Sequence, residues 1–269
     1  MLKRTLTGAV LLALIALLIY FSYIPYLLAA AMTLLSMIAV YELYHAGGMR
    51  DKKELLAVSE ILAIAVSLAS FPYYYIFLAA GFACAVGVFL YMMLRLGSYS
   101  LNSGFKLFLI ALMIPLFFRS FTELRSLENG LFYVILLSCV CLLSDIFAYL
   151  TGCAFGKRKL APKVSPGKSV AGAIGGLVVP TVAVIAFCAI LGGRLPVKID
   201  YVALTVYLLT ASVISQFGDL SMSTVKRNFG VKDYGKVLPG HGGILDRFDS
   251  LLFAAPYTLL FVLIFPVAV

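Results

Sequence analysis

Apolar segments of about the length that crosses a lipid bilayer follow one another along almost the whole chain. A transmembrane helix needs about 20 mainly apolar residues, because the hydrocarbon core is about 30 Å thick and an α-helix rises about 1.5 Å per residue. The pattern therefore predicts an all-α, polytopic integral membrane protein with about nine transmembrane helices. The candidate segments are 6–23, 26–45, 55–70, 72–94, 105–119, 131–152, 171–193, 201–218 and 250–268.

The composition excludes the main alternatives. Only 12% of the 269 residues are charged and 63% are hydrophobic, with a mean hydropathy of +1.06, whereas a soluble domain has about 25% charged residues. So few charges do not cover the surface of a soluble enzyme, and the apolar content is too high for a disordered chain. The basic N-terminus before the first apolar segment resembles a signal peptide, but the many later segments favour a retained first helix.

The basic residues divide unevenly between the two sides of the predicted bundle. The net charge is +9, and Lys and Arg prefer short cytoplasmic loops. With the N-terminus inside, the Lys and Arg residues fall on the inner side, except for Arg119, Arg125, Arg194 and Lys198. We therefore expect an N-in, C-out protein of the inner (cytoplasmic) cell membrane, with a site that faces the cytoplasm.

The predicted spans and loops divide the chain into two regions. Region 1–130 carries about five spans, and region 131–269 carries the remaining spans with basic cytoplasmic loops at about 153–170 and 219–249. No segment is polar enough to form a separate soluble domain, and no internal repeat is evident. The second region is expected to be catalytic, because polar and charged side chains that could carry chemistry concentrate there.

Three acidic residues lie within or at the ends of predicted spans: Glu42, Asp145 and Asp219. A carboxylate is costly to bury in lipid, so such residues are usually paired or functional. For Glu42 and Asp145, a structural hydrogen bond between helices stays open as an alternative. Asp219 differs, because polar side chains at helical spacing extend along its face toward the cytoplasmic end. They are Ser212, Ser215, Gln216, Ser223 and Lys226, flanked by Arg227.

The segment after this polar stripe combines glycines, cations and carboxylates over residues 230–249. Glycines let backbone N–H groups approach anions closely, cations neutralise phosphates, and converging carboxylates bind Mg²⁺. An Asp-Arg-x-Asp cluster at 246–249 ends the segment. The combination predicts a phosphate-plus-metal site at the membrane surface, since a loop that is basic only because of its sidedness needs neither the acids nor the glycines.

A long motif in this part of the chain resembles the signature of the phosphatidate cytidylyltransferases, also called CDP-diacylglycerol synthases. Every constrained position of that 27-residue pattern is filled, and a match of this length is highly specific. The motif reads Ser223-x-x-Lys226-Arg227-x₄-Lys232-Asp233-x-Gly235-x₂-Leu238-Pro239-x-His241-Gly242-Gly243-x₂-Asp246-Arg247-x-Asp249.

Two upstream blocks are similar to other conserved blocks of the same family, with two departures. Ala171 stands where the family usually has an acidic residue, and Gly167 replaces a usual Lys, so the second of these blocks is expected to contribute differently to the site. The resemblance covers the C-terminal half strongly and the first four spans only in general character. The blocks are Asp145-x-x-Ala148-Tyr149-x-x-Gly152-x₃-Gly156-Lys157 and Ser165-Pro166-x-Lys168-Ser169.

The resemblance implies the reaction CTP + phosphatidate → CDP-diacylglycerol + pyrophosphate within the membrane, a homodimer, and no nucleic-acid partner. It implies Mg²⁺ as the cofactor, held by Asp219, Asp246 and Asp249, and a second cation would make a paired site about 3.5–4 Å across. Catalytic roles fall to these three residues with Lys226, Arg247 and His241. Substrate-binding roles fall to Asp145, Lys168, Ser223, Arg227, Lys232, Gly242 and Gly243.

Two other functions remain as alternatives. One is another CTP-using lipid enzyme of the same membrane class, such as a polyprenol kinase or an archaeal-type CDP-lipid synthase. A kinase would release CDP instead of pyrophosphate. A transporter or ion channel would use the acids of the spans as a cation path, but transporters usually bind near the membrane midplane and often contain repeats. In this sequence the charged residues concentrate at one surface.

Overall fold

The computed structural model describes residues 10, 13–14, 16–24, 26–49, 53–68, 74–94, 103–238, 240 and 242–268. This part of the chain is a bundle of helices with one β-hairpin. Short 3₁₀ turns lie at Phe21–Tyr23 and Gly192–Arg194. The helices are α1 (Leu27–Ala46), α2 (Lys53–Leu68), α3 (Tyr74–Leu94), α4 (Ser103–Ser126), α5 (Gly130–Phe155), α6 (Val170–Leu191), α7 (Tyr201–Asn228) and α8 (Leu245–Ile264).

Five of the described helices, α1 and α5 to α8, are long and apolar enough to cross a membrane. This agrees with the prediction of an all-α membrane protein. Helices α1 to α8 lie on the second to ninth predicted segments, whereas the first segment, 6–23, falls in part outside the described residues. The count of nine spans and the N-in orientation stay predictions.

The second predicted loop is shorter than expected, because helices occupy both of its ends. Residues 219–228 continue α7, and α8 begins at Leu245, so only residues 229–244 connect the two helices. At its other end α7 starts at Asp200, whose carboxylate accepts hydrogen bonds from the N–H groups of Val202 (2.9 Å) and Ala203 (3.0 Å). A side-chain cap of this kind fixes where a helix starts.

Helix α4 continues beyond the predicted end at residue 119 because its charges find partners. Arg119 forms an ion pair with Glu123 one turn later at 2.7 Å, and it donates a hydrogen bond to the carbonyl of Val66 at 2.7 Å. Charges paired in this way can lie within a helix that packs against other helices. The predicted segment 105–119 therefore ends seven residues before the helix does.

A two-stranded antiparallel hairpin interrupts the otherwise helical chain between α5 and α6, within the predicted loop 153–170. Its strands are β1 (Lys159–Ala161) and β2 (Ser165–Ser169), with Lys159 opposite Ser169. The Ser169 hydroxyl accepts a hydrogen bond from the N–H of Gly172 at 3.1 Å and so caps α6. The hairpin therefore leads directly into the first turn of α6.

Glycines let α5 and α6 pack with their backbones close together. A Cβ on Gly172 would lie 2.6 Å from the carbonyl oxygen of Ala148, and a Cβ on Gly176 would lie 2.7 Å from that of Ser144. These separations are too short for any side chain, so the contact requires glycine at both positions.

Helix α8 lies at the centre of the bundle. The ring of Phe253 packs against Phe89 of α3, Phe117 of α4 and Phe217 of α7, with ring centroids 5.4, 5.5 and 5.7 Å away. Pairs at such separations add to the burial of apolar surface. The helix that carries the Asp-Arg-x-Asp cluster is thus held by helices from both regions of the chain.

Candidate active site

A polar cleft opens at the end of the bundle where α5 ends, α6 begins and α7 approaches its C-terminus. Its volume is about 460 Å³, which is within the usual range for small-molecule sites. The hairpin supplies cations at its rim, and α5 and α7 supply carboxylates. Its polar lining includes Asp145, Lys159, Lys168, Gln216 and Asp219, beside the exposed ring of Tyr149.

Three carboxylates lie together at this end of the bundle: Asp145 of α5, Asp219 of α7 and Asp249 of α8. The carboxylates of Asp145 and Asp249 each interact electrostatically with that of Asp219. Gly218 permits the approach of α7 to α8, since a Cβ there would lie 2.9 Å from the backbone oxygen of Asp249. We call these three residues the open acid cluster, because all of them are at least partly exposed.

The open acid cluster contacts both hydroxyl groups and cations of the protein. Lys168 of the hairpin forms an ion pair with Asp219, and Ser223 donates a hydrogen bond to Asp219 Oδ1 at 3.3 Å. Ser250 donates to Asp145 Oδ2 at 3.4 Å. Arg247 also acts electrostatically on Asp145, and Lys226 on Asp249.

Asp246 is not part of this cluster, although the sequence predicted one metal site from Asp219, Asp246 and Asp249. Its Oδ1 accepts a hydrogen bond from Lys226 Nζ at 2.9 Å. Its Oδ2 accepts from the N–H groups of Tyr234 (2.9 Å) and Gly243 (3.0 Å). Both oxygens are occupied, and the residue is 5% exposed.

The open acid cluster has the donor chemistry of a Mg²⁺ site but not a closed cage. Within the described ranges, no three acidic, His or Cys side chains lie close enough together to form a ready-made metal site. Mg²⁺ usually takes only one or two protein carboxylates and completes its shell with waters and substrate phosphates. The hard carboxylate oxygens of the cluster suit that mode of binding.

The amides of the glycine-rich connection bind the protein's own carboxylates. Besides the two that reach Asp246, the N–H groups of Ile244 and Leu245 donate to Glu42 at 3.0 and 2.9 Å. The N–H of Leu238 donates to the carbonyl of Gly242 at 2.9 Å. His241, predicted as catalytic, lies outside the described residues.

The predicted phosphate-binding cations have different environments. Lys226 is 8% exposed and lies 5.4 Å from the ring centre of Tyr234, beside its partner Asp246. Arg227 donates to the carbonyls of Val164 and Val231, both at 3.1 Å, and thus joins the hairpin to the end of α7. The side chains of Lys232 and Arg247 are exposed. Lys168, at the cleft, is the cation best placed to meet a ligand there.

Glu42 and Tyr234 are site residues whose roles the sequence did not reveal. The hydroxyl of Tyr234 donates to the carbonyl of Met222 at 2.8 Å. Burial, together with the nearby Asp249 and Asp246 carboxylates, raises the pKa of Tyr234 well above its ordinary value, so the phenol keeps its proton and its hydrogen bond. A carboxylate within an apolar segment was the only signal for Glu42, and it did not identify a partner.

Comparison with known proteins gives a consistent set of relatives. A family model described as "Cytidylyltransferase family" matches residues 2–265. Proteins named phosphatidate cytidylyltransferase from Bacillus subtilis and Thermotoga maritima are 45% and 39% identical over 150 residues, which is 55% of this chain and 54% and 56% of theirs. One from Haemophilus influenzae is 43% identical over 129 residues, which is 48% of this chain and 45% of that protein. The chain thus spans about half the length of the curated relatives it matches.

Proposed function

The chain belongs to the cytidylyltransferase family, and from this premise we propose that it converts CTP and phosphatidate into CDP-diacylglycerol and pyrophosphate. The observation that carries the proposal is the cleft beside the open acid cluster, where the carboxylates of Asp145 and Asp219 share the lining with the hairpin lysine Lys168 at the end of apolar helices. A lipid phosphate held at the membrane surface and a nucleotide from the aqueous phase can meet there. The relatives named for this reaction support the substrate assignment.

The proposed reaction joins two anions. An oxygen of the phosphatidate phosphate attacks the α-phosphorus of CTP, the new P–O bond forms, and the bond from the α-phosphorus to the bridging oxygen breaks. That oxygen leaves with its electron pair in pyrophosphate. The nucleophile is a phosphate monoester with a second pKa of about 6, so it is ionised near neutral pH and needs no strong general base. The main barrier is charge repulsion, which positioning and electrostatic stabilisation reduce.

The residues of the cleft suit this task. Lys168 can exchange its contact with Asp219 for a contact with a substrate phosphate, and the exposed Arg247 can approach the same charge. Ser223 holds Asp219 in place. Lys226 has the buried Asp246 as its partner, so we assign this pair to holding the connection 229–244 rather than to direct phosphate binding.

Asp219 and Asp249, with Asp145 beside them, would hold the proposed Mg²⁺. When bound, Mg²⁺ supplies the positive charge that offsets the phosphates and the developing charge on the leaving group. In this proposal Asp246 leaves the predicted metal set, because its oxygens already accept bonds from Lys226 and two backbone amides. The open acid cluster itself binds the metal only together with substrate.

The proposed membrane arrangement has nine spans, with the N-terminus and the catalytic end on the cytoplasmic side of the inner membrane. The hairpin and the C-terminal end of α7 lie on the same side of the bundle, since Arg227 near the end of α7 contacts Val164 of the hairpin. Most of the basic residues belong to the loops assigned to this side. The proposed active form is a homodimer, with region 131–269 as its catalytic part.

The test is a by-product assay on the purified full chain. CTP carrying label in its α-phosphate is incubated with phosphatidate and Mg²⁺, and lipid and aqueous products are separated. We expect label in CDP-diacylglycerol with one pyrophosphate released per lipid formed. Release of CDP with an unlabelled lipid would identify a kinase, and no consumption of CTP would contradict both enzymatic functions.

A further inference from the structure

Glu42 of α1 reaches across the bundle to the first turn of α8. It is 2% exposed, and its two carboxylate oxygens accept separate hydrogen bonds from the N–H groups of Ile244 (3.0 Å) and Leu245 (2.9 Å). The amides at the start of a helix have no partners within the helix. Glu42 therefore caps α8 from another helix, where no side chain of Ile244 itself provides a cap.

Two motif glycines enclose this carboxylate. A Cβ on Gly235 would lie 2.7 Å from the carboxyl carbon of Glu42, and a Cβ on Gly243 would lie 2.6 Å from it. Both distances are too short for a Cβ, so any residue other than glycine at either position would displace the Glu42 carboxylate. The position of the Glu42 carboxylate thus explains why two residues far away in the sequence are glycines.

The cap is continuous with the catalytic end. Gly243, which lies against Glu42, also donates its N–H to Asp246, and Asp246 holds Lys226 of α7. Asp249 lies three residues further along α8, about 4.5 Å along its axis. A shift of the start of α8 would therefore move Asp249 relative to Asp219.

We propose that Glu42 is a positioning residue for the transfer site: it fixes the start of α8 and so sets the place of Asp249 beside Asp219. This inference rests on the proposed function. Glu42 does not touch the reacting atoms; it acts through the backbone of α8. The N-terminal helices therefore supply part of the site's geometry.

The principal test compares Glu42→Gln, Glu42→Asp and Glu42→Ala in the full chain, with Glu60→Gln as the matched control. Glu60 is also a partly buried glutamate of the N-terminal region, and within the described residues its Oε2 has no hydrogen-bond partner. Glutamine presents an NH₂ group to one of the two amides, so Glu42→Gln loses one bond and sets two donors against each other. Glu42→Asp keeps both acceptors on a shorter side chain.

We expect kcat to fall about tenfold or more in Glu42→Gln and Glu42→Ala, partial recovery in Glu42→Asp, and KM for phosphatidate within about twofold of wild type. Glu60→Gln should keep wild-type kinetics. Wild-type kcat in both Glu42→Gln and Glu42→Ala would overturn the proposal, as would an equal loss in Glu60→Gln.

A double-mutant cycle of Gly235→Ala and Glu42→Ala provides a second test if some Glu42 variants yield little folded protein. Gly235→Ala should lower kcat in the wild-type background, because its methyl group meets Glu42, and should have little further effect in the Glu42→Ala background. Full additivity of the two changes would overturn the proposal.

Hydrogen exchange separates this inference from the proposed function. Exchange at the Ile244 and Leu245 amides should speed up in Glu42→Gln and stay unchanged in Glu60→Gln, whether or not the protein turns over CTP. A wild-type protein that makes no CDP-lipid contradicts the proposed function alone. Unchanged exchange at these amides contradicts the role of Glu42 alone.

Discussion

The carboxylates at the catalytic end form two groups with opposite environments. Glu42 and Asp246 are buried, and each of their four oxygens accepts a hydrogen bond from a backbone amide or from Lys226. Asp145, Asp219 and Asp249 are at least partly exposed and interact with one another, and the first two line the cleft. The comparison teaches that the same residue type builds the scaffold where it is buried against backbone amides, and stays accessible to a ligand where its partners are hydroxyl groups and a partly exposed lysine.

The difference is sharpest within the Asp-Arg-x-Asp cluster. Asp246 and Asp249 lie on one helix, and three residues rotate a side chain by about 300°, so the two point about 60° apart. That angle is enough to turn Asp246 toward Lys226 and Asp249 toward Asp219. The same substitution, Asp to Asn, should therefore lower activity at position 249 and stability at position 246.

The largest expected effect is the loss of activity on substitution of an aspartate in the open acid cluster. Asp249→Asn or Asp219→Asn should lower CDP-diacylglycerol formation by about 10³-fold while the protein stays folded in the membrane, because a key electrostatic contact to the reacting phosphates is lost. The measurement is kcat on purified protein. Asp200→Asn, at the capped start of α7, is the control and should be active. More than a tenth of wild-type activity in either variant would break the comparison.

Asp246→Asn should instead reduce stability. It leaves the Lys226 ammonium, which is 8% exposed, without its ionic partner, and breaking a buried pair costs about 3–5 kcal/mol. The measurement is the free energy of unfolding in detergent. The paired change Lys226→Met with Asp246→Asn removes both charges, keeps a side-chain oxygen for the Tyr234 and Gly243 amides, and should recover much of this loss. If the free energy of unfolding is unchanged in Asp246→Asn, Asp246 does not stabilise the fold and belongs functionally with the open acid cluster.

Metal binding provides a test that does not depend on turnover. In the presence of CTP, Mg²⁺ at about 100 times its Kd should add about 2.7 kcal/mol to the free energy of unfolding. We expect this gain to disappear in Asp219→Asn and on chelation with EDTA, and to persist in the Lys226→Met, Asp246→Asn variant. If Mg²⁺ no longer stabilises that double variant, Asp246 would have to be counted among the metal ligands.

The smallest effect concerns the cation of the cleft. Lys168→Met removes the partner of Asp219 and should lower kcat/KM for CTP about tenfold, since hydrogen bonds to charged groups contribute about 1.5–3 kcal/mol and solvent screens part of this one. Lys163→Met, an exposed lysine at the hairpin turn, is the matched control. Equal effects of the two variants would mean that Lys168 acts only through general charge.

Much of the fold followed from hydropathy, because the length of an apolar segment is a local property. The predicted segment 26–45 and the observed α1 (Leu27–Ala46) differ by one residue at each end. The end of α4 was missed because Arg119 and Glu123 satisfy each other inside the helix. The hairpin at 159–169 was missed because a three-residue strand leaves no clear period in a basic segment.

The site was predicted only in part, because the division of its carboxylates depends on tertiary contacts. Polar side chains at helical spacing indicated the stripe through Asp219 and Lys226. Nothing in the spacing of Asp246 and Asp249 distinguishes a residue that holds Lys226 from one that lies beside Asp219. Likewise, Gly243 was expected to approach a phosphate, whereas it approaches Glu42 and Asp246.

The contact between Glu42 and α8 also constrains the order in which the protein folds as it is synthesised. Ile244 follows Glu42 by 202 residues, so nearly all the other described helices are synthesised before the Glu42 carboxylate can bind the amides that it caps. Contacts so distant in sequence form late, because their ends must first be brought together. A chain arrested after α7 would carry Asp145 and Asp219 but not the helix that brings Asp249 to them. The proposed transfer site is thus completed only by the last described helix.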